Sequence, residues 1–130
     1  KKIPIYGTGK NIRDWIFVED HCDAIIDVLI KGKSGESYNI SAGNEIDNIT
    51  IIKKILTIVG KPLENIEFVE DRPGHDFRYS MESTKIRNTL EWSQKKKFEE
   101  GLKKTIDWYL ENKEWWMNLD QKILGATPWK

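Results

Sequence analysis

The chain carries one cysteine, Cys22, which excludes an internal disulfide and fits a reducing, cytoplasmic compartment. Histidine is almost as scarce. His21 and His75 are far apart, and no Cys/His/Asp spacing resembles a metal site, so none is assigned. An excess of either charge is also missing, with Lys plus Arg and Asp plus Glu at 21 each. No field draws in nucleic acid or an anionic membrane, so any anion must be captured by local placement. No apolar run approaches a membrane span, and no signal peptide, repeat or low-complexity segment is visible. An initiator Met is absent as well: the chain opens Lys1-Lys2-Ile3, already strand-like, and reads as a piece of something longer.

What remains is one domain's worth of sequence, 130 residues, 38% hydrophobic and 32% charged, with strands alternating with helices in an α/β pattern. Ile3 to Tyr6 is a short edge strand, because Pro4 cannot donate to a ladder. A turn over Gly7 to Asn11 leads to a second strand from Arg13 to Val18. Glu19 and Asp20 suit the positive end of a helix whose stripe is Val18, Cys22, Ile25, Ile26 and Leu29; Cys22 is expected to be a packed thiol on it. Glu36 to Ile40 reads as a strand. Asn48 or Thr50 can cap a helix with the stripe Ile49, Ile52, Ile55, Leu56 and Val59. Ile66 to Val69 is another strand, Ser83 or Thr84 caps a short helix through Leu90, and Glu99 to Trp116 is the longest helix. Its apolar side is Phe98, Leu102, Ile106, Tyr109 and Leu110. Residues 118 to 130, which include Trp129, read as an irregular tail.

The segment richest in chemistry is Asp71-Arg72-Pro73-Gly74-His75-Asp76. Pro73 fixes its own φ and Gly74 turns where other residues strain, so Arg72 and His75 project from a stiff loop. A guanidinium beside an imidazole suits an anion next to a hydroxylated group. A second segment complements it. Pro4 and Tyr6 flank a turn and can form a flat slot for a planar base, while Arg13 can fork onto a phosphate. The same residues also describe a solvated hairpin. Asn48, at a helix start, can bond a phosphate alongside backbone amides, or merely cap. Together Pro4, Tyr6, Arg13, Asn48, Arg72 and His75 can hold a base, two phosphates and a sugar.

Three motifs mimic catalysis. Gly7-Thr8-Gly9 starts like a dinucleotide fingerprint, but Ile12 stands where the third glycine belongs and a strand follows. Tyr6 and Lys10 have a Tyr-x-x-x-Lys spacing that works only on one helix, which the intervening glycines forbid. Tyr109 and Lys113 repeat that spacing on a helix, yet Tyr109 is expected in the buried stripe. No catalytic residue is assigned. Six tryptophans without a basic stripe indicate core and helix-docking roles rather than nucleic-acid stacking.

Ile3-Pro4-Ile5-Tyr6-Gly7-x-Gly9, Ile12-Arg13-Asp14-Trp15, Val18-Glu19-Asp20-His21, Tyr38-Asn39-Ile40, Asn44-Glu45, Asp71-Arg72-Pro73-Gly74-His75-Asp76 and Thr84-Lys85-Ile86 follow in that order. Residues 1 to 117 thereby resemble the C-terminal part of the dTDP-glucose 4,6-dehydratases, extended short-chain dehydrogenases/reductases of deoxysugar (dTDP-rhamnose) biosynthesis. The Arg-Asp-Trp run is shared with many sugar-nucleotide epimerases; the Asp-Arg-Pro-Gly-His-Asp run discriminates. Glu82 stands where relatives usually have Asp.

The resemblance implies a small mixed α/β substrate-binding lobe lacking the N-terminal Rossmann core. It implies Pro4 and Tyr6 at the thymine or its ribose, Arg13, Asn48 and Arg72 on the diphosphate, and His75 near the sugar or phosphate. Such enzymes oxidise the sugar at C4 with NAD, eliminate water across C5 and C6, and return the hydride to C6. NAD and the catalytic Tyr, Lys and Asp-Glu pair belong to the N-terminal part, so no cofactor is expected on this chain. The expected partners are a thymidine-diphosphate sugar and either that N-terminal half or a second copy. The alternatives are a stand-alone nucleotide-sugar-binding or regulatory remnant, and a related epimerase or dehydratase. A further expectation is that the helix from Val18 to Leu29 and the strand from Ser37 to Ile40 pack on the cofactor-binding sheet, and without it expose apolar surface and a free strand edge.

Overall fold

A short parallel pair and a short antiparallel pair of strands organise the structure, a computed structural model that describes residues 2–118. The parallel pair joins β1 (Ile3–Tyr6) to β4 (Ile66–Val69), with Ile3 opposite Ile66 and Tyr6 opposite Val69. The antiparallel pair joins β2 (Ile12–Asp14) to β3 (Glu45–Asp47). Five helices follow the strands in alternation or pack behind them: α1 (Val18–Lys31), α2 (Asn48–Ile58), α3 (Thr84–Leu90), α4 (Phe98–Glu111) and α5 (Lys113–Met117). A 3-10 turn at Leu63–Asn65 leads into β4. This is the expected small mixed α/β lobe. Among the described residues no helix is long and apolar enough to cross a membrane.

The main core joins α1 to α3. Ala24, Ile86, Leu90 and Trp92 are buried together, with Ile16, Val28, Tyr38 and Ile40 packed against them. Helix α1 therefore turns inward a different side from the expected stripe. Cys22 and Ala24 lie about 200° apart around a helix, and it is Ala24 that is buried while Cys22 is exposed. Val18, Ile25, Ile26 and Leu29 are exposed too, Leu29 at 83%, which is the apolar surface expected of this helix without the cofactor-binding sheet. The helix is apolar on two sides, and spacing alone does not say which side this chain covers.

Other expectations fail for local reasons. Residues 36–40 form no strand: Tyr38 and Ile40 pack on the core as single side chains, and no ladder partner lies beside them among the described residues. The second strand stops at Asp14, because Asp14 and Trp15 turn to clamp the loop after residue 41. Asp47, not Asn48 or Thr50, caps α2, its Oδ1 accepting from the Thr50 amide at 2.7 Å. The predicted long helix breaks at Asn112 into α4 and α5. Tyr109 is exposed rather than buried, and Trp108 and Trp115 stack edge-on outside the core. Ser83 precedes α3 without capping it, and its hydroxyl instead meets Ser41 Oγ at 3.0 Å and the Arg87 Nε at 3.1 Å. The expected tail, apart from Asn118, lies outside the described residues.

Candidate functional site

Arg72-Pro73-Gly74-His75 closes a tight turn. The His75 amide donates to the Arg72 carbonyl at 3.3 Å, and Gly74 sits at φ +66°, the position a type II turn reserves for glycine after proline. The turn returns the His75 ring to the preceding carboxylate. Nδ1–H donates to Asp71 Oδ1 at 2.6 Å, and the same oxygen accepts from the Arg72 amide at 2.8 Å. The imidazole, seconded by that amide, holds the Asp71 carboxyl below its usual range. The imidazole is 96% enclosed, its side chain keeping 4% of its accessible surface. Its Nε2 is buried with no hydrogen-bond partner among the described residues. A buried ring nitrogen without a partner is unfavourable unless something else supplies one.

Arg13 reaches this loop from β2. Its Nη1 donates to the Ile12 carbonyl at 2.7 Å and its Nη2 to the Asp76 carbonyl at 3.0 Å. The strand carrying it is fixed from both sides. The Asp14 carboxylate accepts from the Gly43 and Asn44 amides at 2.9 and 3.0 Å. The Trp15 indole donates to the Ile46 carbonyl at 3.0 Å. Arg72 contributes a guanidinium 5.9 Å from the Tyr6 ring centroid and forms no ion pair among the described residues. Arg13, Arg72, His75, Asp76 and Tyr79 line one open cleft of about 400 Å³.

The other three expected residues gather nearby. Pro4, Tyr6 and Asn48 line a smaller hollow with Trp15, Ile51 and Ile55. The Arg72 contact with Tyr6 links the two. Phosphate contact by the α2 amides is not available as expected. The Asn48 amide donates to the Asn11 carbonyl at 3.1 Å, Ile49 to the Gly9 carbonyl at 2.9 Å, and Thr50 to Asp47. Only the Asn48 side chain remains for a ligand. Asp71, Asp76 and Tyr79 are not among the residues that the sequence assigns a role. The four-residue spacing of Asp71 and His75 across a Pro-Gly turn was the available signal for the first.

The glycines between β1 and β2 offer no dinucleotide cradle. Gly7 and Gly9 sit at φ +57° and +68°, and β2, not a helix, follows them. A Cβ at Gly7 would lie 2.5 Å from Asp71 Oδ2, and one at Gly9 would lie 2.7 Å from Ile5 Cγ2. The space a pyrophosphate would need is filled by the chain's own side chains, so these residues do not fit NAD. Nor do the Tyr-x-x-x-Lys pairs form: Tyr6 ends a strand, and Lys113 lies beyond the break at Asn112.

Residues 1–105 match the GDP-mannose 4,6 dehydratase family. The dTDP-glucose 4,6-dehydratase of Escherichia coli is 47% identical over 92% of this chain and 36% of that protein. Among solved structures, the dTDP-glucose 4,6-dehydratase of Bacillus anthracis in complex with NAD superposes with a TM-score of 0.87. It is 48% identical, over 92% of this chain and 38% of that one. A dTDP-glucose 4,6-dehydratase from Streptomyces venezuelae with NAD and TYD bound gives a TM-score of 0.89 at 39% identity, over 92% and 37%. The chain spans 36% to 38% of the length of the curated relatives it matches first. On the family match, the superposed fold and the Asp-Arg-Pro-Gly-His-Asp turn, the chain belongs to the GDP-mannose 4,6-dehydratase family of extended short-chain dehydrogenases/reductases, as a dTDP-glucose 4,6-dehydratase-like member.

Proposed function

We propose that this chain is the nucleotide-sugar-binding part of a dTDP-glucose 4,6-dehydratase, converting dTDP-glucose to dTDP-4-dehydro-6-deoxyglucose only together with an NAD-binding part that supplies the hydride chemistry. The observation that carries the reading is the meeting of Arg13, Arg72 and His75 at one cleft, with a buried His75 Nε2 that has no hydrogen-bond partner among the described residues. Two guanidiniums suit a diphosphate, which they can grip through several charge-assisted bonds at once. With Nδ1–H committed to Asp71, Nε2 of the neutral ring accepts from a sugar hydroxyl, and the protonated ring donates to a phosphate oxygen. Pro4 and Tyr6 supply the apolar slot for thymine or its ribose, with the Asn48 side chain beside them. The family membership and the dTDP-glucose 4,6-dehydratases aligned with the chain support the nucleotide.

Calorimetric titration with thymidine diphosphate and uridine diphosphate tests this. The expectation is thymidine-selective binding, weakened about 10- to 100-fold in Arg72→Ala, the equivalent of about 1.5–3 kcal/mol for charge-assisted contacts. Equal binding of both nucleotides, or an unchanged affinity in the variant, overturns the assignment.

A further inference from the structure

We propose that Tyr79 and Asp76 are positioning residues for Arg13, a two-sided clamp that holds its guanidinium in the orientation that receives the diphosphate. This rests on the reading of the cleft given above and adds two residues to it.

Asp76 acts twice. Its backbone carbonyl accepts directly from Arg13 Nη2 at 3.0 Å, and from the Asn11 side-chain amide at 3.2 Å, which fixes the carbonyl itself. Its carboxylate accepts from the Tyr79 hydroxyl. That bond places the Tyr79 ring against Arg13, whose Cζ lies 4.5 Å from the ring centroid. The guanidinium is therefore held at one nitrogen by a carbonyl and on its face by an aromatic ring, and one residue sets both.

An arginine side chain loses rotamer entropy when a ligand fixes it. A guanidinium already stacked and hydrogen-bonded has lost most of it before the ligand arrives. The clamp also leaves ligand-facing capacity. Of the five N–H donors of an arginine, those on Nη1 reach the Ile12 and Phe77 carbonyls and one on Nη2 reaches Asp76. The Nε–H and the second Nη2 hydrogen have no partner among the described residues.

Tyr79 has little else to do. It is 57% exposed, although it lines the cleft beside Arg13 and Arg72. The segment that carries it is registered on β2 by backbone bonds that do not involve the Tyr79 side chain, with the Ile12 amide donating to the Phe77 carbonyl at 2.8 Å and the Tyr79 amide to the Ile12 carbonyl at 3.0 Å. Ile12 and Arg78 form a parallel bridge in between. Truncating the Tyr79 side chain thus leaves the loop in register. The Asp76 carboxylate, bonded to the phenol, pushes the Tyr79 hydroxyl above its usual range, so it remains a donor throughout the neutral range.

The test is a double-mutant cycle on this chain with thymidine diphosphate as the probe. Tyr79→Ala is expected to weaken binding about tenfold and Tyr79→Phe about threefold, because the second keeps the ring and loses its anchor. In an Arg13→Ala background, Tyr79→Ala should change the affinity less than twofold. An undiminished loss in that background, or no loss in the single variant, overturns the proposal. A ligand-free measurement separates this failure from failure of the nucleotide reading. The ¹⁵N guanidinium resonances of Arg13 should show restricted rotation in the parent chain and averaged signals in Tyr79→Ala and Asp76→Ala. Averaged signals in the parent chain refute the clamp, whatever the nucleotide titration gives.

Discussion

Asp20→Ala separates a residue's role read from sequence from the role the fold gives it. As the third residue of α1, Asp20 is expected to contribute a favourable charge at a helix start, worth about 0.3–1 kcal/mol. In the structure it is 3% exposed and joins two distant segments: Oδ1 accepts from the Lys95 amide at 3.1 Å and Oδ2 from the Lys96 amide at 3.0 Å. It thereby ties the start of α1 to the linker that launches α4. Hydrogen bonds to a charged acceptor contribute about 1.5–3 kcal/mol each. Lys95 is exposed and Lys96 half-buried, so water can reach the freed amides, and the lower end applies. The expected loss is about 3 kcal/mol. In urea, with a slope of about 1.5 kcal/mol/M for a chain of this size, the midpoint falls by about 2 M. Tryptophan fluorescence reports the transition, because Trp92 is buried close by in sequence. Asp20→Asn keeps one acceptor but turns an NH₂ toward the other amide, and should lose about half as much. A loss in Asp20→Ala below about 1 kcal/mol would show that the dipole alone matters and that the tie is dispensable.

Ile86 has no exposed surface, and Ile86→Ala should cost about 3–4 kcal/mol in the same assay, with Ile86→Val near 1. Ile25→Lys combined with Leu29→Lys should leave the circular dichroism unchanged, since both side chains are exposed on α1. A loss of helicity would mean that this face packs within the chain. His75→Ala removes the main group that lowers Asp71, so its carboxyl ¹³C titration should move up toward the ordinary range. The sign follows: a carboxylate depressed in the folded state stabilises above its unfolded value, and that contribution is lost as pH falls through the depressed one. An unmoved Asp71 titration in the variant would contradict the contact.

Sequence alone determined the local geometry and the chemical inventory. Pro73 and Gly74 dictate their turn through φ preferences that need no distant partner. The strand at Ile3–Tyr6 and the existence of α1, α2 and α3 follow from local periodicity and stop signals in the same way. The six candidate residues are proposed from side-chain type alone: donors in Arg13, Asn48, Arg72 and His75, and a flat or rigid ring in Tyr6 and Pro4. What needed the tertiary structure was anything set by another segment. Whether Ala24 or Cys22 faces inward depends on where α3 lies, and whether residues 36–40 form a strand depends on a partner. Asp71 and Asp76 look like any solvated carboxylates until the fold turns one toward His75 and the other toward Tyr79. The Asn48 backbone amide is taken by the Asn11 carbonyl, and the Ile49 amide by the Gly9 carbonyl, for the same reason. Local preferences are short-range and additive along the chain, whereas burial and hydrogen-bond partners are decided between segments far apart in sequence.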